Sequence, residues 1–78
     1  MSKHDPSILK GFTDSMKNAE TLSDKDLLDA LNPTIIAVEK DDSYKTSAKL
    51  KIFLWISQLS NCEPRERKKY IRKISRKL

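Results

Sequence analysis

The 78 residues of this chain are enough for one domain and exclude a second, because separate hydrophobic cores arise only in chains several times longer. Only 37% of the residues are hydrophobic, and so short a chain stabilises its fold by roughly 3–5 kcal/mol. The formal net charge of +5 comes from 16 basic and 11 acidic residues.

One cysteine, Cys62, and one histidine, His4, rule out an intrachain disulfide and make a metal site unexpected. We therefore expect no cofactor. As a nucleophile Cys62 would need His4 as its base, and His4 lies in residues 1–5, which we expect to be frayed. An ordinary helix-end or half-buried cysteine is favoured, and the chain has no other motif of an enzyme.

No apolar signal segment follows the polar N-terminus, and the longest apolar stretch, residues 50–59, is about half the length that spans a bilayer. We therefore expect a cytoplasmic protein, and the lone thiol is compatible with a reducing compartment. The single glycine and the lack of alternating β-branched runs argue against strands. The predicted fold class is all-α.

The first predicted helix opens at Asp5 and Pro6, since proline suits the first position of a helix. Apolar residues then recur at steps of three and four, and the pattern ends near Glu20. The residues of this stripe are Ile8, Leu9, Phe12, Met16 and Ala19.

Ser23 is a good N-cap for a second short helix, with Asp26 three residues later in the position of a capping box. The residue before a proline is disfavoured in helical conformation, so Asn32 and Pro33 predict that this helix stops. The same pair can cap a third helix that runs to Val38. A polar run, residues 39–43, is then the expected loop.

A fourth helix is predicted from Ser43 or Thr46 to Ser60, with apolar residues around most of its circumference. Such a helix is expected at the centre of the core, and Trp55 is interpreted as a packing residue within it. The pattern breaks at Asn61, and a fifth helix is expected from Pro64 to the C-terminus. Its apolar positions are Tyr70, Ile71, Ile74 and Leu78.

The sequence thus predicts one domain over residues 1–78, a compact bundle of four to five short helices with a basic C-terminal helix. Residues 64–78 carry eight basic side chains against one acidic, a net +7, and the other 63 residues have a net charge of −2. On a helix these basic residues lie opposite the apolar stripe. They are Arg65, Lys68, Lys69, Arg72, Lys73, Arg76 and Lys77.

A one-signed face of this kind favours binding to a polyanion, of which nucleic acid is the most abundant. The expected function is non-catalytic nucleic-acid binding or a regulatory role on nucleic acid. Arginines suit bidentate phosphate contact, and the segment has four of them, Arg67 included. A sequence-reading helix-turn-helix is disfavoured because only Ser75 offers a side chain for base edges, and Tyr70 alone is a poor platform for single strands.

The alternative function is a small inhibitor or adaptor that docks on a protein through its charged helices. Its partner would have an acidic surface that binds the basic helix, or a surface that binds the acidic group Asp24, Asp26 and Asp29. Acidic residues near a helix N-terminus are also favoured by the helix dipole, which accounts for this group without a partner. Membrane binding is not expected, because the apolar face of the last helix is small. The stripe of Ile71, Ile74 and Leu78 leaves a homodimer possible.

Overall fold

The computed structural model describes residues 6–78, so the predictions made for Asp5, His4 and residues 1–5 lie outside the described residues. The described chain is all-α, as predicted. It contains two short 3₁₀ turns, Ala19–Thr21 and Pro64–Glu66. Its four α-helices are α1 (Pro6–Ser15), α2 (Asp24–Lys40), α3 (Thr46–Asn61) and α4 (Arg67–Lys77).

The first helix is shorter than its apolar stripe predicts, since α1 ends at Ser15 and not near Glu20. A turn and then the 3₁₀ turn Ala19–Thr21 follow. Met16 and Ala19 remain buried in this segment, so the apolar spacing continues while the backbone leaves the helix. The segment leads the chain to Ser23, whose hydroxyl accepts a hydrogen bond from the backbone N–H of Asp26 at 3.2 Å, the predicted cap of α2.

The predicted break at Pro33 is wrong, because α2 runs through it as one helix of 17 residues. A proline inside a helix removes one backbone hydrogen bond and costs about 3 kcal/mol. Here the cost is offset by the burial of residues before and after the proline in sequence: Leu31 is completely buried and Thr34 nearly so. Packing of one face therefore overrides the local signal, and the second and third predicted helices are one.

Replacing Pro33 with alanine is expected to stabilise the protein, since it restores an N–H to the helix at an exposed position. The gain in the free energy of unfolding should be about 2–2.5 kcal/mol, which is the cost of proline in a helix less its restriction of the unfolded chain. Urea denaturation followed by circular dichroism measures it. A denaturation midpoint below that of the parent would contradict the account of α2.

α4 lies antiparallel to α3 and closes the bundle. The phenolic hydroxyl of Tyr44, just before α3, donates a hydrogen bond at 3.2 Å to the backbone carbonyl of Leu78, just after α4. Ile74 is completely buried, and Ile71 and Leu78 pack against the same core. The stripe that the sequence left open between self-packing and a dimer is therefore packed within its own chain.

α3 is less central than its composition predicts. Ile52, Ile56 and Leu59 are buried, but Leu50 and Leu54 are 64% and 52% exposed. The apolar residues of this helix therefore lie on two sides, of which one packs in the core and the other faces solvent. The prediction that this helix lies at the centre of the core is therefore wrong for the side that contains Leu50 and Leu54.

Candidate nucleic-acid interface

The basic residues of the C-terminal segment lie on the outside of α4 and on the 3₁₀ turn before it. Arg67 and Ile74 are the buried residues of α4, so the rest of its circumference is free to carry charge. All seven predicted site residues are exposed: Arg65, Lys68, Lys69, Arg72, Lys73, Arg76 and Lys77.

Two of these seven residues are neutralised within the chain. The guanidinium of Arg65 pairs with Glu63 at 3.0 Å, and the ammonium of Lys68 pairs with Glu20 at 3.3 Å. Within residues 6–78 the other five have no carboxylate at ion-pair distance. The unpaired basic face is therefore Lys69, Arg72, Lys73, Arg76 and Lys77.

Arg67 is the one basic residue of the segment that cannot contact a polyanion, because its side chain is 1% exposed. It donates hydrogen bonds to the backbone carbonyls of Ala19 and Leu22, the latter at 2.8 Å, and to a carboxylate oxygen of Asp24 at 3.1 Å. Counting Arg67 among the phosphate-binding arginines is thus wrong. Its role is to join the start of α4 to the connection between α1 and α2.

The burial of Arg67 has a simple cause in the register of α4. Residues 67, 71, 74 and 78 follow helical spacing, so the side that buries Ile71, Ile74 and Leu78 also buries Arg67. At that end of the helix the neighbouring groups are carbonyl oxygens rather than apolar side chains, and the planar guanidinium can donate hydrogen bonds to several of them at once. An arginine in phase with an apolar stripe is the sequence signal for this role.

Tyr70 and Ser75 are engaged by neighbours on α4 itself. The ammonium groups of Lys69 and Lys73 lie 5.5 and 5.7 Å from the centre of the Tyr70 ring. The hydroxyl of Ser75 donates to the carbonyl of Ile71 at 2.8 Å. The one aromatic ring and the one serine of this helix are thus half-buried and already make contacts within the chain.

Cys62 ends α3 as its C-cap, and its thiol donates to the carbonyl of Leu59 at 3.4 Å. Burial raises the pKa of the Cys62 thiol above its ordinary value, Glu66 raises it further, and Arg67 acts in the opposite direction. The thiolate is therefore disfavoured near neutral pH, as expected for a half-buried cysteine at a helix end.

The rate at which Cys62 reacts with a disulfide reagent is expected to show this shift. At pH 8 the folded protein should react more slowly than the urea-unfolded protein, because a raised pKa leaves a smaller thiolate fraction in the fold. The reaction is followed by the absorbance of the released thiolate. A folded protein that reacts faster than the unfolded chain would contradict this assignment.

The described residues hold no group of three or more His, Cys, Asp or Glu side chains placed to bind a metal ion. None of the helices in residues 6–78 is long and apolar enough to cross a membrane. Comparisons with protein-family models, with curated proteins and with solved structures gave no match. The basic face of α4 is accordingly interpreted from its own geometry.

Proposed function

We propose that the basic face of α4 binds the phosphate backbone of nucleic acid, and that the protein acts by binding rather than by catalysis. The observation that carries the proposal is the unpaired basic face: five cations on one side of an 11-residue helix, with no carboxylate of the described chain beside them. Three acids pair with residues 64–78, and all three contact its first turns: Glu63, Asp24 and Glu20.

Repulsion within this face supports an external partner. Lys69 and Lys73, and Arg72 and Arg76, are like charges four residues apart, and each such pair destabilises a helix by roughly 0.2–0.5 kcal/mol. The macrodipole favours the last two cations, Arg76 and Lys77, but not the whole face. A polyanion on this face would relieve the repulsion and release the counterions condensed on its phosphates.

The dimensions of α4 suit a duplex. Its 11 residues extend about 16 Å at 1.5 Å per residue. Over that length of axis a DNA duplex carries about nine phosphate charges on its two strands. Three to five contacts from one face are then geometrically reasonable, and they would give affinity with little sequence selectivity.

Sequence selectivity distinguishes this proposal, in which α4 contacts phosphates, from a helix that contacts base edges. Two labelled duplexes of equal length and unrelated sequence should bind with dissociation constants within about threefold of each other, since phosphate contacts carry no base information. Fluorescence anisotropy at low salt measures both, with a duplex RNA as a third probe. A preference above about 100-fold for one sequence would favour base readout instead, since a good base contact contributes roughly 1–3 kcal/mol.

The alternative is an inhibitor or adaptor that binds the acidic surface of a protein. The same anisotropy assay separates the two, with poly-glutamate as competitor at equal charge concentration. Preference for nucleic acid predicts that unlabelled DNA displaces the probe at much lower charge concentration than poly-glutamate does. Equal displacement by both would favour a general acidic partner.

A further inference from the structure

The unpaired basic face covers a wide arc of α4. Successive residues of an α-helix point about 100° apart, so Arg72 and Lys77, five residues apart in α4, point about 140° apart. The buried side of the helix, which contains Ile74, lies opposite this arc. The other three residues of the face point in directions between Arg72 and Lys77: they are Lys69, Lys73 and Arg76. The cations therefore diverge towards two sides of the helix.

A helix that lies along a single phosphate backbone needs a much narrower arc. Lys69, Lys73 and Arg76 point within about 60° of one another, and such a row is enough to follow one strand. Arg72 and Lys77 would then point to either side of that strand, away from its phosphates. Two rows of phosphates, one on each side of the helix, would engage the whole basic face.

α4 is exposed enough to enter a groove between two such rows. Its exposed residues are Lys68, Lys69, Arg72, Lys73, Arg76 and Lys77. At about 100° per residue they extend over about 180° of its circumference, and a helix with its side chains is about 10–12 Å wide. The major groove of B-form DNA is about 12 Å wide and about 8.5 Å deep, and it admits an α-helix. The exposed half of α4 therefore fits between its two phosphate backbones.

The other grooves of duplex nucleic acid do not match this geometry. The minor groove of B-form DNA is about 6 Å wide, which is narrower than a helix. In A-form RNA the major groove is deep and narrow, and the minor groove is wide and shallow. The first does not admit a helix, and the second does not place phosphates on both sides of one.

We propose that α4 binds in the major groove of B-form DNA, with Arg72 towards the phosphates of one strand and Lys77 towards those of the other. The inference rests on the proposed function and narrows its ligand from nucleic acid to duplex DNA. Contacts to the two backbones are phosphate contacts, so the low sequence selectivity expected above is unchanged.

Fluorescence anisotropy at 0.1 M salt tests the choice of groove. A labelled DNA duplex should bind at least about tenfold more tightly than an RNA duplex of the same sequence and length, because only the DNA duplex has a groove that admits α4. A DNA duplex that contains glucosylated 5-hydroxymethylcytosine, whose sugar fills the major groove, should also bind at least about tenfold more weakly. The matched control is the same duplex with 5-hydroxymethylcytosine that lacks the sugar.

Single substitutions test the two sides of the basic face separately. Contact with both strands predicts that Arg72→Ala and Lys77→Ala each weaken binding of the DNA duplex by roughly three- to tenfold at 0.1 M salt, and that each reduces the salt slope by about one. Lys25→Ala, at an exposed position of α2, is the control and should change neither. Both tested side chains are exposed, and circular dichroism establishes that each variant is folded.

Three results would overturn the groove inference while leaving phosphate binding by the basic face in place. They are an RNA duplex that binds as tightly as the DNA duplex, a glucosylated duplex that binds as tightly as its control, and a loss of affinity confined to one of the two alanine variants. Absence of binding to every probe would mean that the proposed function itself has failed.

Discussion

Arg67→Ala is expected to unfold most of the protein at 25 °C. The substitution removes the guanidinium that binds the carbonyls of Ala19 and Leu22 and leaves a cavity at the start of α4. Leaving a buried carbonyl without its donor costs about 1–3 kcal/mol and the cavity adds roughly as much, which together come to about 3–5 kcal/mol. That loss equals the whole stability of roughly 3–5 kcal/mol available to a chain of this length. Circular dichroism at 222 nm with a urea titration measures the effect.

Two control substitutions distinguish the effect of losing a buried side chain from the effect of losing a charged group. Arg65→Ala removes an arginine two residues away whose side chain is 83% exposed and paired only with Glu63, so the expected cost is at most about 1 kcal/mol. Asp24→Ala removes the 85% exposed carboxylate partner of Arg67 but leaves the buried guanidinium bonded to carbonyl oxygens, so it should cost about 1–3 kcal/mol, less than Arg67→Ala. An Arg67→Ala variant as stable as these two would show that the buried hydrogen bonds do not hold α4 in place.

Arg72→Glu/Arg76→Glu is expected to weaken nucleic-acid binding at low salt by at least about 100-fold. The double change alters the charge of the basic face by four units, and unit charges 4 Å apart interact by about 1 kcal/mol even in water. Both side chains are exposed, so the fold should be retained. Anisotropy titrations of a labelled duplex compare the variant with the parent.

The matched control is Lys10→Glu/Lys25→Glu, which changes the net charge by the same four units at exposed positions of α1 and α2. With both variants measured at 0.1 M salt, its affinity should stay within about tenfold of the parent, because neither lysine belongs to the basic face and exposed charges outside a contact are largely screened over a Debye length of about 10 Å. An equal loss in the two variants would mean that net charge alone, and not the basic face, drives binding.

Much of the fold follows from local sequence signals. The Ser23 cap and the position of the basic helix are each set by residues within a few positions of the element itself. Side chains on the outside of a helix are also predictable, since helical spacing alone places Lys69, Arg72 and Lys73 opposite Ile74. These features depend on neighbours along the chain, which a sequence displays directly.

Three features depend on contacts between distant segments, and a sequence does not display those. α2 continues through Pro33 because Leu31 and Thr34 are buried by other helices. Arg67 is buried because α4 meets the carbonyls of a segment 45 to 48 residues earlier. Leu54 is exposed because only part of the apolar surface of α3 is covered. In each case tertiary packing decides between local alternatives.

The most direct test of nucleic-acid binding by α4 is the dependence of duplex affinity on salt concentration. Three to five phosphate contacts from Lys69, Arg72, Lys73, Arg76 and Lys77 predict that the logarithm of the association constant falls against the logarithm of salt with a slope of about −3 to −4.5. Arg72→Glu/Arg76→Glu should reduce that slope by about two. Absence of binding at low salt, or a slope near zero, would contradict the account.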